Sequence, residues 1–215
     1  MKAFQGMKVA LSLVLLLCSS VLGGIYYEQE MTLKPSSETA QPGSTKLRCY
    51  ISGPKMRVET AGGQTIGITR MDTGVVYHLV PAQKVYRSET LTRPDPEKER
   101  QVEVTITKTQ ERRKIGQYAC SRYDVTVGSQ RFSLWITTDV DVGDDWATMW
   151  KAAGQWGWAK LADEVIRIKG FPIRTEMDIP PGTLILTVTT VKKQAVPDTM
   201  FEVPEGYKPM PAAGR

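Results

Sequence analysis

The 215-residue chain has one histidine, His78, and three cysteines, and that scarcity removes whole classes of chemistry. A serine or cysteine hydrolase needs a base beside its nucleophile. His78 falls in Val76-Tyr77-His78-Leu79-Val80, inside a strand pattern, and no G-x-S-x-G elbow occurs anywhere. It reads as a structural strand residue. One histidine and well-separated cysteines do not make a closed zinc site. The acidic stretch Asp139-Val140-Asp141-Val142-Gly143-Asp144-Asp145 fails as a calcium loop, because its glycine comes one place early and Trp150 stands where the closing glutamate belongs. Helix capping and a polar turn account for it. Ala61-Gly62-Gly63-Gln64 opens no helix, so it is a hairpin turn and not a phosphate cradle. No spacing singles out a pair of carboxylates for glycoside chemistry. No catalytic residue, metal or cofactor is expected, and the chain reads as a non-enzyme.

Long apolar runs are also missing. The longest, Val9 to Cys18, is broken only by Ser12 and is about ten residues, half of the ~20 needed to cross a bilayer. Lys2 and Lys8 precede it with no acid, and Ser19, Ser20, Val21, Leu22 and Gly23 follow. This is the layout of a secretory signal, residues 1–23, cleaved after Gly23 and directing the protein to the periplasm or the extracellular space. Leu17 before Cys18 does not suit a lipidation site, so Cys18 leaves with the leader. Loss of Lys2 and Lys8 leaves 26 basic against 23 acidic residues, a net charge of +3. The one concentrated run, Arg112-Arg113-Lys114, is a solvated strand end, and nucleic acid is not an expected partner. Cys49 and Cys120 remain. An even pair in an oxidising compartment invites a disulfide, and two buried thiols are the alternative; spacing in sequence does not choose between them.

What is abundant is alternation. Val102, Val104 and Ile106 alternate with Glu103, Thr105 and Thr107; Phe132, Leu134 and Ile136 alternate with Arg131 and Ser133, Trp135 being the exception. Strands are predicted at 25–33, 44–52, 55–61, 64–71, 74–80, 84–91, 102–109, 112–127 with a break near Gly116, 130–138, 170–178 and 182–194. Turn signals such as Ser52-Gly53-Pro54, Asp72-Thr73-Gly74 and Gly128-Ser129 join most of them, so neighbours in sequence should be neighbours in an antiparallel meander. Thr92 to Arg100 is the longest early loop. The period changes between Asp144 and Ile168, where Trp146, Trp150 and Ala153 share one helical face and Leu161, Val165 and Ile168 another. The expectation is one domain, 24–209, with a helical lid at 144–168 and a flexible tail at 210–215.

Four of the five tryptophans, Trp146, Trp150, Trp156 and Trp158, lie in that helical region with Met149 among them. Docking the helices onto the sheet is their structural role. A curved sheet under an aromatic lid also encloses a cavity suited to apolar ligands, which makes these residues and Trp135 the candidate lid.

Several stretches resemble a family of exported bacterial domains of unknown function: Gly53-Pro54-Lys55-Met56-Arg57-Val58-Glu59, Val76 to Val80 with Lys84-Val85-Tyr86, Ile115 to Val125, Gly170 to Glu176, and Val196 to Lys208. The resemblance implies a fold like the lipoprotein carriers LolA and LolB: mostly β, a large curved antiparallel sheet or incomplete β-barrel capped by helices, with an apolar interior. Relatives of that fold carry lipoproteins, bind lipids or act as sensors, and fold alone does not assign function. The expected function is therefore a periplasmic binding or carrier protein for an apolar ligand such as lipid or lipoprotein acyl chains. The alternative is an interaction or sensor module that meets another envelope protein through its rim or a sheet edge.

Overall fold

The computed structural model describes residues 23–36, 41, 43–91, 95–143, 145–152 and 158–210. Of the stretch 1–23 expected to be a secretory signal, residues 1–22 lie outside the described residues. Among the described residues twelve strands form one sheet: β1 Gly23–Pro35, β2 Gly43–Ser52, β3 Lys55–Thr60, β4 Ile66–Arg70, β5 Val75–Val80, β6 Val85–Thr90, β7 Val104–Ile115, β8 Tyr118–Val127, β9 Gln130–Thr137, β10 Phe171–Ile179, β11 Gly182–Ala195 and β12 Lys208–Pro209. The α-helices among the described residues are α1 Pro96–Gln101, α2 Asp145–Ala152 and α3 Trp158–Ile168.

The strand order is β12-β6-β5-β4-β3-β2-β1-β11-β10-β9-β8-β7, antiparallel except where β12 joins β6. Two meanders thus run outward from a central seam, where β1 pairs with β11 from Gly23↔Ala195 to Pro35↔Gly182. The backbones meet closely at the end of that seam: a Cβ on Gly182 would lie 2.0 Å from the Lys34 carbonyl oxygen, so only glycine fits. The sheet is curved and open, a large antiparallel sheet and not a closed barrel, with β7 and β12 as its edges.

Three expectations are corrected locally. The stretch Thr92 to Arg100 is not only loop: its second half enters α1, where Asp95 accepts a hydrogen bond from the Glu97 backbone N–H (3.0 Å) and Pro96 occupies the first helical position. The connection is long because it carries the chain from β6 to the far edge of the sheet. Residues 112–115 belong to β7, and the hairpin turns at Gly116, which has φ +57°. The interruption before Arg112 is a bulge, where the Thr109 hydroxyl accepts from the Glu111 N–H (3.1 Å) and donates to the Arg122 carbonyl (3.2 Å). The tail is anchored further than expected. Met210 donates its N–H to the Tyr86 carbonyl (2.7 Å), and residues 211–215 lie outside the described residues.

Alternation sorts the side chains onto two faces. On the inner face, Ile25, Ile51, Met56 and Thr69 are successive register partners, and the largest apolar cluster builds there with Leu161, Val165, Phe171 and Ile173. On the outer face of β2–β6, Ile66, Ile68 and Leu79 form a second cluster. The segment Val196 to Met210 lies across it as a strap, burying Phe201 completely. Lys55 pairs with Asp198 (2.6 Å), and Arg57 donates to the Met200 carbonyl (3.0 Å).

Candidate functional site

Between the inner face and α2 the packing leaves a cavity of about 390 Å³. Its floor comes from residues of six strands, alternating except at the β10 irregularity near Pro172. These are Tyr27 and Gln29 of β1, Ile51 of β2, Met56 of β3, Thr69 of β4, Phe171, Pro172, Ile173, Thr175 and Met177 of β10, and Leu186 and Val188 of β11. Trp146 and Met149, one helical turn apart on α2, complete it. Asp145 supplies negative charge to the first turn of α2, where unpaired backbone N–H groups favour it. Trp146 meets Phe171 edge to face (5.9 Å, 85°), and Tyr27 approaches the same ring (6.1 Å, 70°). The helices are held at both ends. Lys160 of α3 donates to the carbonyls of Arg100 (2.7 Å) and Val102 (2.8 Å), while Lys151 pairs with Asp163 (2.6 Å) between α2 and α3.

The polar groups of the wall are few and uncharged. Tyr27 stands beside Cys49, its register partner on β2. Burial pushes the Cys49 thiol up to about 12 and the Tyr27 phenol well above its usual value, so both are neutral at physiological pH. Burial, with the Asp139 charge as a smaller cause, pushes Cys120 up to about 11. Neither sulfur is a nucleophile poised for neutral pH.

Of the candidate lid, Trp146 and Met149 line the cavity. Trp150 and Trp158 sit on α2 and α3 with side chains outside the description, and Trp156 lies outside the described residues. Trp135 is not part of the lid. It is register partner to Arg122 and Arg174, on the face opposite Leu134, and it lies under the Arg113 guanidinium at 4.7 Å. The break in alternation at Trp135 marked a buried aromatic on the other face. The strand residues of the cavity floor were not singled out from sequence. Their alternation showed an apolar face, while the element covering that face depends on contacts more than a hundred residues apart.

The disulfide alternative is excluded by placement, since both cysteines are free and buried. Cys49 on β2 and Cys120 on β8 have β1, β11, β10 and β9 between them. Five strand spacings span roughly 24 Å along the sheet, against the ~7 Å a disulfide tolerates between Cα atoms. The Cys120 thiol donates instead to the Tyr118 carbonyl (3.6 Å). His78 is half exposed on β5, 3.9 Å from Glu89. Asp139 accepts the Ala119 N–H (3.1 Å) and Asp141 the Gly143 N–H (3.2 Å), so these carboxylates serve turns. Among the described residues no group of three His, Cys, Asp or Glu side chains could hold a metal.

An open antiparallel sheet with a helix pair over an apolar cavity defines the class of the protein. The chain belongs to the family described as domain of unknown function (DUF4412), which matches residues 27–207. A search of curated proteins finds no match. Among solved structures, PNGF-II is 15% identical with a TM-score of 0.41, covering 86% of this chain; the chain spans 30% of PNGF-II. The LolA superfamily protein NE2245 from Nitrosomonas europaea is 10% identical (TM-score 0.42; 85% of this chain, 96% of that one). A DUF1329 family protein from Desulfovibrio piger ATCC 29098 is 9% identical (TM-score 0.39; 83% and 89%).

Proposed function

We propose that this is a non-enzymatic binding or carrier protein of the cell envelope, which holds an apolar ligand of acyl-chain character in the cavity beneath α2. The observation that carries the reading is the cavity itself: about 390 Å³, walled by Ile51, Met56, Phe171, Ile173, Leu186 and Val188, and covered on one side by Trp146 and Met149. Small-molecule sites run from ~300 to 1,000 Å³ and are mostly apolar with few polar groups, so this volume and lining suit one chain-like ligand. Three methionines in the wall, Met56, Met149 and Met177, add unbranched side chains that adapt to a ligand of variable shape. The leader at residues 1–23 supports export to the periplasm or beyond.

Native mass spectrometry of gently purified protein tests the reading, and retained lipid is the expected result. Leu186→Trp fills the hollow from β11 without removing a core side chain. Retained lipid should fall by at least about fivefold while the denaturant midpoint stays near that of the parent. A parent protein that carries nothing and takes up no added lipid would overturn the proposal.

A further inference from the structure

The cavity wall has a polarity pattern that narrows the ligand. Among the described residues that line it, none carries a charge. Among its polar side chains, Tyr27 stands beside its register partner Cys49, and those of Gln29, Thr69 and Thr175 have no side-chain hydrogen-bond partner among the described residues. Gln29 is the one amide of the wall. It stands on β1 at the centre of the sheet, opposite Val188 of β11 and Leu47 of β2, and an amide can both donate and accept. Thr175 lies two strand spacings away, roughly 10 Å along the sheet.

A buried carboxylate needs a cation or several donors to offset its lost hydration, and this wall offers no cation. A neutral carbonyl needs only one donor, and the Gln29 amide can supply it. We propose that the ligand enters with an uncharged acyl ester or amide head, and that the Gln29 amide holds its carbonyl. This rests on the cavity reading above and adds head-group selectivity to it. A glycerolipid ester and an acylated protein terminus share this chemistry; a free fatty acid does not.

The test is displacement of the neutral fluorophore N-phenyl-1-naphthylamine from the mature protein at pH 7.5. The competitors are n-hexadecane, palmitate, monopalmitoylglycerol and an N-palmitoyl peptide amide. Palmitate should need at least tenfold more ligand than either neutral acyl compound, and the better of those two identifies the source. Gln29→Leu should weaken the better compound about fivefold relative to n-hexadecane. Equal competition by palmitate and the neutral compounds overturns the head-group assignment while leaving the cavity reading intact, and an unchanged Gln29→Leu variant overturns the role of Gln29. Failure of all competitors, n-hexadecane included, overturns the cavity reading itself.

Discussion

Cys49 and Tyr27 illustrate how burial sets chemistry one side chain at a time. The thiol of Cys49 is pushed up to about 12 and that of Cys120 to about 11, from an ordinary 9.0, because the thiolate would lose its hydration. The unfolded chain therefore releases these protons at lower pH than the folded one. Their contribution to stability is fully present below about pH 9 and is lost as pH rises through 11 to 12. Tyr26 acts in the same direction, raised from 10.0 to about 12 by burial and then by its hydrogen bond to Glu28. Urea midpoints should accordingly be flat from pH 7 to 8.5 and decline above 9, and the Cys49→Ala/Cys120→Ala pair should make that decline shallower. At pH 8 a disulfide-exchange reagent should label neither thiol until the protein is denatured, and then label both. Rapid labelling of the native protein would contradict the burial.

At the scale of elements, the C-terminal strap and the helix pair are held by different forces. Phe201 is completely buried against Ile66, Ile68 and Leu79, and truncating such a phenylalanine typically costs about 3–5 kcal/mol. Arg57, nearly buried, adds its bonds to Glu59 (2.6 Å) and to the Met200 carbonyl (3.0 Å). Phe201→Ala should therefore lower unfolding free energy by about 3 kcal/mol or more in urea titration. A loss under about 1 kcal/mol would mean that the strap merely lies on the sheet. The helix pair shows the contrast. Its Lys151–Asp163 bridge is half exposed and of a kind worth only about 0–1 kcal/mol, so α2 and α3 are seated by the buried Trp146, Leu161 and Val165.

For the molecule as a whole, an open sheet leaves edges to protect. The β6 edge is covered by β12, whereas β7 presents a twelve-residue free edge. Lys108, Arg112 and Lys114 are exposed along it, and charges on an edge strand oppose pairing with another chain. Replacing Arg112 and Lys114 together by valine should leave the fold intact and produce concentration-dependent oligomers in light scattering. A strictly monomeric variant would show that the β7 bulge alone blocks the edge.

The sequence by itself determined most strand positions, the short hairpins between them and the change to helix at Trp146, because period and turn chemistry act within a few residues. It also held the signal for α1 in Asp95-Pro96. Tertiary structure alone decided that β1 pairs with β11, that Cys49 and Cys120 stand far apart, and that Val196 to Met210 straps the outer face. It decided too that Trp135 turns away from the cavity while Gln29, Ile173 and Leu186 line it. Each of these depends on contacts between residues far apart in the chain, where an alternating pattern gives a strand its two faces but names no neighbour for either.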